Sequence, residues 1–391
     1  MIVLCAHRLY KPQEEIRDPL LFIEDGLISA VSTRDQKEIP KNATVVDFTN
    51  EGFGDAILAP GFVDIHMHGG AGLDVMRAAP SELPHLNKFL TTHGVTGYFP
   101  TTVAAPLDQT CAALERLADA IEAAQSHVGN GSVQAHPLGI HLEGPFLSHL
   151  RRGVHPPEYL VEPTLEIFER LWQAARGHVR MMTIAPELPG AFEVITEAAR
   201  RKVLVSIGHS DAMLDAARAG VKAGARHATH TFNAMRPLDH RDPGILAEVL
   251  TDQHITADII VDGIHVAPEV VQLFLKAKGL DRAVLITDAM AATGMPDGTY
   301  QLGPIQVEVK DGKCTSDGKL AGSVLTMDRA VRNVTRFSSW SLQDAVRAAT
   351  LNPALAAGLA QHGQLVPGAA ANVVVMGPDG EVRQTFVRGR V

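Results

Sequence analysis

Six ionisable side chains, widely separated along this 391-residue chain, fall at the ends of five apolar, strand-like runs. His66 and His68 close the run from Phe62, and Glu143 closes the run from Ile140. His209 closes the run from Val203, His230 follows Ala228-Thr229, and Asp288 closes the run from Val284. Residues so distant converge only if their strands are parallel and curl into a barrel, whose catalytic groups gather at the C-terminal strand ends.

The rest of the central region supports that reading. Strand-like runs recur near 62–68, 97–102, 138–143, 179–185, 203–209, 227–231, 255–261 and 283–288. Helical patterns lie between most of them, at 108–124, 164–175, 191–200, 211–223 and 268–278. The eight units cover about 230 residues, close to the roughly 250 of a (β/α)8 barrel. An open doubly wound sheet is the competing layout, but it would not bring those strand ends to one point. Short β-like runs punctuated by turns, such as Glu24-Asp25-Gly26 and Pro378-Asp379-Gly380, occupy both termini. The expected fold is therefore α/β: a TIM-type barrel over 59–359, with a small β-sandwich built from 1–58 and 360–391. The segment 299–320 holds two β-like runs and is expected to be a hairpin inserted after the eighth strand.

The bulk composition restricts partners. The formal charge of −9 argues against a general nucleic-acid or membrane-surface binder, though a local Arg or His cluster can still hold an anionic small molecule. Cys5, Cys111 and Cys314 are scattered without a pairing motif, which suits a reducing compartment and excludes a Cys-rich zinc site. The N-terminus has no signal-peptide pattern, and no segment approaches a membrane span of about 20 apolar residues. The cytoplasm is the expected location.

Side chains two apart on a strand share a face, so His66 and His68 point together into the barrel mouth. Imidazole suits a divalent transition metal. With Glu143, His209 and His230 they make five potential ligands, one more than a tetrahedral site uses. A binuclear centre bridged by Glu143 and a single-metal site are both open. Asp288, beside an attacking water, is placed to take its proton and return it to a leaving group. A helix N-cap is the alternative role for that aspartate. His141, two before Glu143, either ligates or supports a ligand. His85, His93, His127, His136, His149, His178, His254 and His362 fall in expected helices or loops and are read as structural. Gly70–Val75 lacks the third glycine of a dinucleotide loop, and Gly208–Ala212 lacks the last glycine of a nucleophile elbow.

Several further segments carry a resemblance: Pro60-Gly61-Phe62-Val63-Asp64, His141–Phe146, Gly153-Val154-His155-Pro156, Gly208-His209-Ser210, Phe232–Met235, Asp262–His265, Thr287-Asp288-Ala289 and Leu320–Ser323. With Asp64-Ile65-His66-Met67-His68, they resemble the amidohydrolase superfamily, and within it the deacetylases of N-acetylated amino-sugar phosphates. Relatives of the dihydroorotase and hydantoinase type use a carbamylated lysine from the fourth strand; here 179–187 contains no lysine. The resemblance implies that Glu143, His209 and His230 hold the principal metal and that Asp288 is catalytic base and acid. It further implies one or two divalent ions per subunit, zinc first, with iron or another ion as alternatives. Val154, His155, Asn233, Ala234, Arg241, His265, Leu320, Ala321 and Gly322 would contact the substrate, Arg241 reaching across a homodimer. His155 would also help stabilise the tetrahedral oxyanion. The implied reaction is hydrolysis of N-acetylglucosamine 6-phosphate to glucosamine 6-phosphate and acetate. The galactosamine epimer, an N-acyl amino acid and a non-catalytic scaffold are the competing readings.

Overall fold

The computed structural model describes residues 1–126 and 133–391; His127, read above as structural, lies outside the described residues. Six strands, Ile140–Glu143, Val179–Ile184, Leu204–Ile207, His227–Ala228, Thr256–Ile260 and Ala283–Ile286, form one parallel sheet in chain order. Phe62–Met67, Val95–Pro100 and His136–Pro137 form a second parallel sheet. Single parallel bridges join Thr101, just past the middle strand of the second sheet, to His141, and Met67 to Ala289. These strands read as continuous apolar runs because helices cover their outer faces while side chains fill the inner one. Phe62, Val63, Ile140, Leu142, Val205, Ile207, Leu285 and Ile286 all lie in the largest core.

Register then places the polar residues. Glu143, Thr183, Ser206 and His227 are successive partners across four strands, so they occupy one level of the sheet. Thr183 bonds the Thr229 hydroxyl at 2.7 Å, and Ser206 bonds it at 2.5 Å. A hydroxyl layer so closed leaves these oxygens satisfied away from water.

Two further sheets draw on both ends of the chain. One orders Leu27–Thr33, Pro19–Glu24, Ile2–Cys5 and Thr44–Asp47; the other orders Val382–Phe386, Val373–Met376, Ile57–Pro60, Arg8–Tyr10 and Glu15–Arg17. They share a separate core that includes Leu4, Leu21, Phe48, Leu58, Val375 and Phe386. Among the described residues, no helix is long and apolar enough to cross a membrane.

Three expectations need correction. The insertion is a four-stranded antiparallel meander, Gly298–Leu302, Ile305–Lys310, Lys313–Ser316 and Lys319–Leu320, rather than one hairpin. Its second strand alternates, burying Ile305, Val307 and Val309 while exposing the residues between, which is the pattern of a one-sided sheet. The helix expected from Asp211 starts at Leu214, because Met213 is still extended, at φ −68° and ψ 161°. His136 is not in a helix or loop but in a two-residue strand beside Gly97.

His362, partly buried, has its Nδ1 3.4 Å from the Asn372 amide nitrogen. Burial, followed by the charges of Arg388 and His136, holds its pKa at about 4. An unfolded histidine protonates near pH 6.5, so below that pH the unfolded chain binds the extra proton. Stability tied to the neutral ring is whole above about pH 6.5 and falls, by up to about 3 kcal/mol, as the pH drops toward 4. Denaturant unfolding at pH 7.5 and pH 5.0 should therefore show a smaller acid loss for His362→Gln than for the native chain. Equal losses would contradict the assignment.

Candidate metal centre

Each charged side chain at the strand ends owes its direction to a local backbone feature. His66 and His68 flank Met67 at the end of one strand, so both rings turn to the same side. Glu143 is the last residue of its own strand. His209, His230 and Asp288 each stand two residues beyond a strand, at φ of 46°, 29° and 51°. Non-glycine residues seldom adopt positive φ, and such conformations concentrate at functional sites. Here the turn directs three side chains inward.

Glu143 is the centre of the arrangement. Its Oε1 lies 3.0 Å from His230 Nε2, 3.2 Å from His209 Nε2 and 3.5 Å from His66 Nε2. Its Oε2 lies 3.3 Å from His68 Nε2 and 3.7 Å from His155 Nε2. Asp288 Oδ1 is 3.1 Å from His68 Nε2 and 3.6 Å from His66 Nε2. All of these residues are buried. Burial alone would raise the pKa of Glu143, but the charge of His66 and hydrogen bonds from His209 and His230 hold it well below the usual range. Burial likewise opposes ionisation of Asp288, and the His68 hydrogen bond with the nearby imidazole charges brings it to about 2. For His68, burial favours the neutral ring, yet its two carboxylate partners raise the pKa to about 10.

The donor set fits a divalent cation. His68 Nδ1 bonds the Thr101 carbonyl at 3.0 Å and His209 Nδ1 bonds the Arg151 carbonyl at 2.9 Å, so each places its proton there and turns Nε2 to the cluster. His66 and His68 Nε2 face one another at 3.3 Å, and His209 and His230 Nε2 at 3.0 Å. Two imidazole lone pairs repel at that distance unless a proton or cation intervenes. Two groups of potential ligands stand side by side: His66, His68 and Asp288, and Glu143, His155 and His209.

A cavity of about 180 Å³ opens onto the cluster. Its walls include Val154, His155, Asn233, Ala234, His265, Leu320 and Gly322, the residues named from sequence, together with Val103, Gly153 and Leu302. Ala321 is buried with the apolar residues under the meander, and His66 lies behind His68 without lining the cavity. Arg241 is exposed and does not line the cavity of its own chain. His155 Nδ1 accepts a hydrogen bond from the Ala104 amide at 3.0 Å, so its proton resides on Nε2, facing the cluster. Burial lowers its pKa to about 3 and keeps it neutral. His265 is fixed through Nδ1 to Asp262 at 2.7 Å.

His141 supports rather than joins the cluster: its Nε2 bonds Thr183 at 2.7 Å and its ring stands edge to face with His66, centroids 4.6 Å apart. Burial holds it well below the usual histidine range, hence neutral. Asp64 accepts the Thr287 hydroxyl at 2.5 Å and the His66 amide at 3.3 Å, with burial raising its pKa to about 6. Asp258 was missed from sequence. It accepts the His230 backbone amide and lies 2.9 Å from His227 Nε2, fully buried. A lone aspartate inside the apolar run 256–260 was the available signal.

Comparison with known proteins agrees with this construction. The amidohydrolase family model matches residues 57–391. An N-acetylglucosamine-6-phosphate deacetylase of Lysinibacillus sphaericus is 38% identical over 87% of this chain and 86% of its own length. An N-acetylgalactosamine-6-phosphate deacetylase of Escherichia coli O157:H7 is 37% identical over 100% of this chain and 98% of its own. Among solved structures, a point mutant of the Mycobacterium smegmatis N-acetyl-D-glucosamine-6-phosphate deacetylase, in complex with N-acetyl-D-glucosamine-6-phosphate, matches with a TM-score of 0.90. That match has 35% identity over 100% of this chain and 98% of the other. With the strand-end donors in place and similarity running the length of the chain, the chain belongs to the amidohydrolase family.

Proposed function

We propose that this chain hydrolyses the acetamide of N-acetyl-D-glucosamine 6-phosphate, giving D-glucosamine 6-phosphate and acetate. The observation that carries the reading is the buried Glu143, with four imidazole nitrogens within 3.5 Å, at the floor of a cavity that also holds Asp288. The two parallel sheets are read as one (β/α)8 barrel closed through the Thr101–His141 and Met67–Ala289 bridges. Residues 1–58 and 360–391 are read as the small β-sandwich domain beside the barrel at 59–359.

Glu143, His209 and His230 would hold the principal ion, with His66 and His68 completing one or two sites. Zinc is the first choice and iron the alternative, since imidazole and carboxylate suit both. An ion held there would supply Lewis-acid chemistry: polarisation of the amide carbonyl and a pKa of water lowered to about 7. Asp288, ionised at neutral pH, is the base that accepts the proton of the attacking water and then delivers it to the departing amine. His155 presents Nε2–H toward the developing oxyanion, and its neutral state keeps that proton in place. Asn233 and His265 are read as contacts to the sugar phosphate, with Val154, Ala234 and Leu320 to Gly322 shaping the wall.

Arg241 suits a phosphate because its planar fork matches the oxygens. Its exposure fits a homodimer in which it enters the neighbouring cavity. Leu150, Met213 and Leu238 are 77%, 48% and 51% exposed, apolar side chains that such a partner would cover. The cytoplasm is the assigned compartment, from the three unpaired cysteines.

The Escherichia coli relative, similar along the full chain, favours one second reading: the galactosamine epimer as substrate. Acetate release measured on both sugar phosphates decides. A kcat/KM higher for the gluco epimer is expected, and a preference for the galacto epimer would replace the first reading with the second. Asp288→Asn should fold and keep its metal yet lose about 10²–10⁴-fold in kcat. Near-native turnover in that variant would remove Asp288 from the mechanism.

A further inference from the structure

We infer that Asp211 is a positioning residue that ties the loop carrying Arg241 to the orientation of His209. The inference rests on the reading of Arg241 as a phosphate contact and adds to it a mechanical link to the metal centre.

Asp211 stands two residues after His209, where a helix was expected to begin. The helix starts only at Leu214, and its N-cap position, Met213, makes no side-chain cap. The Asp211 carboxylate therefore does not cap helix amides. Its Oδ1 accepts from Arg151 Nε at 2.7 Å, and its Oδ2 accepts from Arg236 Nη1 at 3.1 Å. Each arginine leads elsewhere. The Arg151 carbonyl is the acceptor for His209 Nδ1–H at 2.9 Å, the bond that turns Nε2 toward Glu143. Arg236 reaches Asp242 Oδ2 at 2.7 Å, one residue from Arg241.

Backbone bonds make the link stiff. Ser148 N bonds the His209 carbonyl at 2.9 Å, and Arg236 N bonds the Ser210 carbonyl, also at 2.9 Å. Glu187 clamps the turn from the other side, through the Ser210 hydroxyl at 2.7 Å and the Asp211 amide at 2.6 Å. A single exposed ion pair has little effect. Here one carboxylate, 18% exposed, is shared by two guanidinium groups whose own backbone amides are bonded, to the Ser148 and Ser210 carbonyls. Displacing the 241 loop moves Arg236 and hence Asp211; releasing Asp211 frees Arg151 and the carbonyl that orients His209.

The test uses the metal-loaded protein. Asp211→Ala, and Asp211→Asn as a variant of nearly native size, are compared with the native chain and with Arg200→Ala, which breaks an unrelated surface pair. Metal release to a chelator reads the His209 end, and substitution of partners that orient ligands typically costs about 10–100-fold in metal affinity or activity. About tenfold faster release is expected in either Asp211 variant that folds, and none in Arg200→Ala. Release at the native rate overturns the inference. KM for the sugar phosphate reads the other end. Asp211→Ala should raise it about fivefold or more in the native background, but add little in an Arg241→Ala background, as coupled residues do. A full additional loss in the Arg241→Ala background also overturns it. If Arg241→Ala alone leaves KM unchanged, the phosphate reading fails, while metal release still decides whether Asp211 holds His209.

Discussion

A buried carboxylate surrounded by imidazole nitrogens is the constraint on which the rest of this structure depends. Glu143 is 2% exposed, and removing a charge from water without compensation costs several kcal/mol. Compensation requires positive partners from elements far apart in the chain. A parallel sheet supplies them, because its strands deliver their C-terminal residues to one edge in sequence order. The price is local strain: His209, His230 and Asp288 all adopt positive φ to turn their side chains inward.

Surrounding polar groups keep that geometry fixed. Asp258 and Asp64 accept the backbone amides of His230 and His66, so the segments that carry these two imidazoles are held from behind. Thr183, Thr229 and Ser206 close a hydroxyl layer beneath, and His141 rests on it through Thr183. Partners of this kind decide ligand orientation, and their loss weakens a metal site nearly as surely as loss of a ligand. The meander from Gly298 to Leu320 then covers one side of the cavity with Leu302 and Leu320. Ionisable groups at the base, and walls that set Asn233 and His265 beside Leu302 and Leu320, leave a space suited to a small polar molecule.

Much of this was legible in sequence because its cause is local. The two-residue spacing of His66 and His68 is strand periodicity, and Glu143 ends a short apolar run. Continuous apolar runs predicted most strands of the parallel sheets to within a few residues. What escaped depends on long-range pairing. Nothing local says that Ile57–Pro60 pairs with both Arg8–Tyr10 and Val373–Met376, or that 299–320 folds back three times. Asp258 was overlooked because its value lies in a backbone amide 28 residues away in sequence. The late start of the helix at Leu214 follows from the extended backbone of Met213, which helix periodicity cannot register.

The central claim is that the Glu143 cluster binds the metal on which amide hydrolysis depends. Its most direct test is acetate release from N-acetylglucosamine 6-phosphate by protein stripped with a chelator and then titrated with zinc. The account predicts negligible release from the stripped protein and recovery that saturates at one or two equivalents per chain. Undiminished release from verified metal-free, folded protein would contradict it.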